Sequence, residues 1–466
     1  MDIKDVFISL WNKITGRTLL ADIFQAEENI QRWLSIYRGK QPRDYSFVPL
    51  DGRKHDRTRR TMNAAKMVCS ELSRLVWSEN PEIVADKPIL DFLESNDFYN
   101  QMTKFSEYGS AGGGFAIKLF SPDGKNLRID YVPPDCFIPV TWDNGGITEA
   151  DFLDKMVKDG KTYIRVEKHR KTDGGYNISS DVYEEDGNTV IKRSLADVGI
   201  VESDVPIKST VPLFAYIATP EANNLSMFSP LGISIYANAE DTLESLDVAF
   251  DALSQEIVLG KKRIIVPATA LRHITEVKSG KQVQYFDPSD EVYQAFSVEE
   301  KEGLKIVDNT VELRIEELRL AAQTLLDILA VQTGFSSGTF SFDGVSLKTA
   351  TEVISESSKT FRTKQAYENQ IGKGILGLIE AIKQIGTLYG IKGKGDCNIT
   401  WNDSVIEDRN SLTTYWTGRL TSKTCTLEDF LMKVDGLPEV AAKTKAADIR
   451  SKTATVDVDT MFEKGA

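Results

Sequence analysis

SPLGISIYANAEDTLESLDVAFDALSQEIVLGKKRIIVP, residues 229–267, is the stretch on which the fold turns. Within it Leu243, Leu246, Phe250, Leu253 and Ile257 recur at alternating intervals of three and four, the signature of one apolar helix face. The spacing predicts a helix over 237–259, with Gly260 placed where a C-terminal cap favours glycine. Residues 310–333 repeat the pattern with Val311, Ile315, Leu318, Ala322, Leu325 and Leu329, and again stop at a glycine, Gly334. Each helix would run roughly 35 Å at about 1.5 Å per residue. Between them, 261–309 mixes short β-like runs with turn residues, a small α/β insertion carried on the far ends of two long helices.

The first of these helices has an unusual charge pattern. Glu240, Glu244, Asp247 and Asp251 share one face beside the apolar stripe, and 237–260 holds six acids and no base. Like charges at helical spacing repel by a few tenths of a kcal/mol per pair. Such a face is either solvated or, if copies of the helix surround an axis, a set of negative rings. Lys261, Lys262 and Arg263 follow directly, where they either offset the helix macrodipole or meet a polyanion or partner. Over all 466 residues the net charge is -13, which argues against a broad basic surface that clings to phosphate backbones.

Elsewhere the chain divides by texture. Residues 5–15, 22–38 and 63–78 are apolar at helical spacing, and Pro81 stops the last of them. From about 115 to 217, runs such as GFAIKLF, LRIDYV, CFIPVTW, TYIRVEKHR and VYEEDGNTVIKRSL alternate with PDG, NGG, DGG and EDG turns, a β-rich meander. A long helix is expected over about 346–388, with Gly372, Gly374 and Gly377 placed to loosen or kink it. CNITWND then reads as a short strand, followed by helices near 405–420 and 427–450.

The catalytic motifs fail one by one. GFSSG, residues 334–338, matches G-x-S-x-G, but Ser336 follows a long helix rather than a strand. His55, His169 and His273 all precede it, so the usual order of serine, acid and histidine is broken. GKGILG (372–377) lacks the preceding strand of a dinucleotide fingerprint, and glycines for close helix packing or a bend are the simpler reading. GSAGGG (109–114) lacks the Lys-Ser/Thr of a phosphate loop, so this chain is no nucleotide-driven motor itself. Cys69, Cys136, Cys397 and Cys425 are too scattered for a zinc site and read as free thiols of a reducing compartment. No run approaches 18 apolar residues, and no catalytic, metal or cofactor site is expected.

Residues 229–267, together with GTFSFDGVSLKTATEVISESSKTFRTKQ (338–365), resemble portal proteins of tailed bacteriophages, in particular those of siphoviruses of Gram-positive hosts and their prophages. NAAKMVCSELSRLVWSENPEI (63–83) and GGGFAIKLF with IDYVPPDCFIPV (112–140) extend the likeness over most of 20–390. It implies an α+β multidomain chain with an N-terminal amphipathic segment (1–24) and a mixed α/β wing (25–232). The stem would be helices 233–260 and 310–333, with a clip at 261–309 and a tunnel loop at 334–346. A long helix (347–395) then links wing and crown, and the crown is 396–466.

The resemblance implies a homo-oligomeric ring of about twelve subunits at one capsid vertex. Double-stranded DNA would pass through it during packaging and ejection. The terminase large subunit would dock on the clip, head-completion adaptors would follow, and the major capsid and scaffolding proteins would surround it. That places the chain in the virion, assembled in the host cytoplasm, with no membrane partner and no cofactor. Phe335, Ser336, Ser337, Gly338, Thr339, Phe340, Phe342, Asp343 and Lys348 would then belong to the tunnel loop. Glu240, Glu244, Asp247 and Asp251 form a candidate acidic channel face, and Lys261, Lys262, Arg263, Arg272, Lys278 and Lys281 candidate contacts at the clip. The competing readings are a virion structural protein without a channel, and a serine hydrolase built on Ser336.

Overall fold

The computed structural model describes residues 21–40, 44–47, 54–122, 124–186, 189–200, 204–260, 264–265, 272–275, 282–285, 307–308, 312–342, 350–401, 409–435, 437 and 442–450. The amphipathic stretch expected at 5–15 lies outside these residues.

The fold is mixed α+β around one large core. Helix α1 (Ala21–Tyr37) leads into the hairpin of β1 (Asp44–Phe47) and β2 (His55–Thr58), then α2 (Ala64–Val76). Strand β3 (Glu82–Val84), α3 (Lys87–Ser95) and α4 (Phe98–Gly112) follow. The apolar period that marked 63–78 is the buried stripe of α2: Ala64, Ala65, Val68, Cys69, Leu72 and Val76. Helix α4 turns straight into β4 (Gly114–Phe120) through Gly113, whose φ is 95°. A Cβ on Gly113 would stand 2.4 Å from the Gly232 carbonyl oxygen, so the glycine run serves close backbone crossing.

Strand β4 is the centre of a three-stranded antiparallel sheet, between β5 (Arg128–Val132) and β12 (Phe214–Ala218). The intervening chain forms a second antiparallel sheet in the order β10-β9-β8-β7-β6, comprising β6 (Phe137–Asp143), β7 (Gly146–Lys158), β8 (Lys161–Thr172), β9 (Gly175–Asp186) and β10 (Thr189–Arg193). Strand β11 (Asp204–Ile207) also pairs with β9. The NGG and DGG signals fall at the β6–β7 and β8–β9 turns. Strand β7, unnoticed in the sequence, turns into β8 through Asp159 and Gly160, at φ 52° and 74°. Positive φ at both central residues is what a tight hairpin turn of the primed type requires.

Helices α5 (Glu240–Leu259) and α6 (Ile315–Gln332) pack against each other. Between them the described chain forms two small ladders: β13 (Ile264–Ile265) with β16 (Val307–Asp308), and β14 (Arg272–Thr275) with β15 (Gln282–Tyr285). Gly260 has φ −79°, so it is not a left-handed cap; a Cβ there would meet Leu313 Cδ2 at 1.9 Å. Space, not backbone conformation, demands the glycine.

Helix α7 (Ala350–Ile385) runs unbroken past Gly372, Gly374 and Gly377 and packs on β12 and β4. A Cβ on Gly374 would lie 2.3 Å from Ile217 Cγ1 in β12, so this glycine lets the helix touch the sheet rather than kink. Strand β17 (Asn398–Thr400) pairs with β3, and Trp401 meets Trp77 edge to face at 5.7 Å. Helices α8 (Arg409–Thr421) and α9 (Leu427–Val434) and a helix over 442–450 finish the described chain, with Leu431, Ala442 and Ala446 in their own small cluster.

Candidate functional site

The two long helices frame the site. Arg314 at the start of α6 reaches Glu256 near the end of α5 at 2.9 Å, an ion pair that sets the helices antiparallel. Of the apolar spacing read from the sequence, Leu243 and Leu246 on α5 and Ala322 and Leu329 on α6 are buried, with Leu326 beside them, while Ile257 near the end of α5 is exposed.

The candidate acidic channel face on α5 is largely answered by the chain's own donors. Glu240 accepts from Arg32 Nη2 and Trp33 Nε1 of α1, both at 2.9 Å. Asp247 accepts from Thr61 Oγ1 at 2.7 Å and the Met62 amide at 3.1 Å. Asp251 takes Arg57 Nη2 at 2.9 and 3.0 Å on its two oxygens, and the Arg60 amide at 3.2 Å. Both aspartates are buried, at 6% and 7% exposure, and burying a carboxylate requires such charge-assisted donors. Glu244, 3.6 Å from Arg59, is the one exposed member of the four. Arg57 and Arg59 also lie over the Tyr45 ring, 5.9 and 5.1 Å from its centroid. In place of a bare negative stripe, then, α5 carries a strap made of 54–62. The signal was present in RKHDRTRR (53–60), a basic run matching a helix face with no base of its own.

The GFSSG segment is a fastened turn. Gly334 ends α6 at φ 83°, and its carbonyl accepts from Thr363 Oγ1 at 2.7 Å. Phe335 and Phe340 are buried with ring centroids 5.2 Å apart. The Ser336 amide donates to Thr360 Oγ1 at 2.9 Å, and Ser336 Oγ lies 3.1 Å from Thr360 Oγ1. Asp327 accepts from the Gly338 amide, and Gln323 bonds to the backbone of both Phe340 and Phe342. Ser337, Gly338, Thr339 and Phe342 are exposed. Asp343 and Lys348 lie outside the described residues.

These contacts lend the hydrolase reading no support. Ser336 hydrogen-bonds a threonine, and His169 sits in β8, where its Nε2 is 2.9 Å from Glu167. Of His55 and His273 only the backbone is described. Of the candidate clip contacts, Lys261, Lys262, Arg263, Lys278 and Lys281 fall outside the described residues, and Arg272 opens β14.

A further charged cluster escaped the sequence. Lys118, in the otherwise apolar β4, is buried 2.9 Å from Glu167 and 3.3 Å from Asp130, with its ammonium 5.1 Å from the Phe152 ring centroid. Burial alone would raise the Glu167 carboxyl; Lys118, His169 and Arg165 outweigh it and hold it well below the usual carboxylate range. Burial pushes His169 down against the pull of Glu167, so the imidazole is neutral. With Lys118, Glu167 and His169 buried and Asp130 partly exposed, the cluster ties β4 and β5 of one sheet to β8 of the other through ion pairs. Among the described residues no group of three or more His, Cys, Asp or Glu is placed to hold a metal. No described helix is long and apolar enough to cross a membrane.

In sequence, residues 19–451 match the family described as phage portal protein, SPP1 Gp6-like. No curated protein matches the chain. Among solved structures, one similar chain comes from the virion of a native gene transfer agent particle, at 11% identity and TM-score 0.45, covering 80% of this chain and 89% of that one. Another comes from the neck of a native gene transfer agent particle with C12 symmetry, at 10% identity and TM-score 0.48, covering 94% and 99%. At these TM-scores the family assignment rests on the sequence match alone.

Proposed function

The chain belongs to the SPP1 Gp6-like phage portal family, and from that premise we propose that it forms the ring at one capsid vertex through which double-stranded DNA enters and leaves. The family is structural and non-enzymatic, which agrees with a Ser336 committed to a turn. The observation that carries the reading is the family match over 19–451, which spans the helix–insertion–helix unit of α5, the small strand ladders and α6.

In this reading about twelve copies surround the DNA. The insertion between α5 and α6 is the docking surface first for the terminase motor and later for head-completion adaptors. The acidic balance of the chain suits a conduit, because every phosphate neutralised releases counterions and adds affinity that would brake sliding. Contact with DNA falls to the exposed members of the loop, Ser337, Gly338, Thr339 and Phe342, while Phe335, Ser336 and Phe340 hold it in place. The finer assignment to siphoviruses of Gram-positive hosts rests on the sequence resemblance.

A packaging assay with assembled rings tests the conduit role. Replacing Ser337, Thr339 and Phe342 together by aspartate should preserve rings and lower the DNA packaged or retained. Normal packaging by that variant would remove the loop from the account.

A further inference from the structure

Leu225, Met227 and Phe228 stand exposed in the segment that joins β12 to α5, Met227 at 85% and Phe228 at 79%. Exposed apolar residues scattered singly need no explanation, but a group beside a groove does. Met227 and Phe228 form one wall of a groove of about 780 Å³, within the size range of ligand pockets. The other walls are the β6–β7 turn with Trp142 and Ile147, Tyr216 of β12, and Lys373 on α7. Strand β12 is an edge of its three-stranded sheet, so the groove lies along the side of the sheet that no strand covers.

The start of the same segment lies against α1. Gln25 and Ala26 line a small cavity together with Asn223, Leu225 and Ser226. Gln25 is about one turn from Ala21, where the described chain begins. Residues 1–20, which lie outside the described residues, therefore join the fold beside the segment that walls the groove.

We infer that residues 5–15 of this chain cover the Leu225–Met227–Phe228 patch and the groove behind it. Position, pattern and charge choose this occupant. Residues 16–20 span up to about 17 Å when extended, ample for a segment that enters next to the patch. Phe7, Leu10, Trp11 and Ile14 fall on one helical stripe, and Gly16 follows where a helix cap favours glycine. An isolated helix shorter than about 12–15 residues is marginal in water, so such a stripe gains its order from an apolar surface. DNA is a poor occupant, because Asp143 and Lys373, the charged residues lining the groove, offset each other. The contact goes beyond the conduit reading and does not depend on it.

Hydrogen exchange on the full-length protein tests the contact, with a synthetic peptide of residues 1–20 as the unprotected reference. Amides of 5–15 should exchange at least about tenfold more slowly in the parent than in the peptide. Met227→Asp/Phe228→Asp, at exposed positions that tolerate substitution, should remove that protection and leave α1 and β12 unchanged. Phe7→Asp/Trp11→Asp should in turn speed exchange across 223–230. Parent amides that exchange like the peptide, or protection that survives the aspartates at 227 and 228, overturn the inference. Oxidised Leu10→Cys/Met227→Cys, with each single variant as background for the native thiols, should link within one chain. Links only between chains would give the groove to a second copy and overturn the inference as well. None of these readouts requires a ring, so their failure leaves the proposed function standing.

Discussion

Arg57 and Asp251 show what single residues decide in this protein. Their two-point contact joins the 54–62 strap to α5, with Asp251 nearly buried. Arg57→Ala should cost about 2 kcal/mol in urea unfolding, because it strands a buried carboxylate. Glu244→Gln, at an exposed position, should stay within about 0.5 kcal/mol. Equal effects would mean that burial of the acid face has no energetic weight. Glu27 gives a pH signature. Burial raises its carboxyl from 4.5 to about 7, against a hydrogen bond from Gln31 and with a smaller push from the Asp135 charge. A raised folded-state value means that the contribution is fully present below 4.5 and is lost as pH rises through about 7. The full swing is about 3 kcal/mol. Glu27→Gln should flatten the fall in stability between those values, and an unchanged slope would show that another group titrates there. At this scale the sequence was half legible. The spacing of Glu240, Glu244, Asp247 and Asp251 found a real face, but its partners lie nearly 200 residues earlier, beyond any local pattern.

The elements were more legible than the contacts between them. Apolar spacing located α1, α2, α5 and α6 because each packs one stripe into the core, which is the property that the periodicity records. Strand β7 was missed since Asp151 and Asp154 interrupt its apolar residues; their charges are met across the ladder by Arg170 at 2.6 Å and Arg165 at 3.8 Å. The glycines of α7 divide by contact. Gly374→Ala should destabilise by about 1–3 kcal/mol, since its Cβ would strike Ile217 and push the helix off β12. Gly377→Ala meets only Ala215 Cβ, at 3.5 Å, and should be neutral or stabilising through its helix propensity. Chemical denaturation of the pair checks this, and a neutral Gly374→Ala would mean that α7 sits farther from the sheet than 2.3 Å implies. The fastening of the GFSSG turn was not legible locally, because its partners, Thr360 and Thr363, belong to the next helix.

For the whole molecule, the long helix–insertion–helix run carried the family resemblance, and the match over 19–451 assigns the family. What one chain's sequence carries less visibly is the surface it presents to other copies, because residues exposed in the monomer obey the same period as those buried in it. Electron microscopy of the purified full-length protein tests this most directly. The account predicts closed rings with an axial opening, the α5–α6 hairpins side by side around it. Particles that remain monomeric at every concentration, or that grow as open filaments, would contradict it.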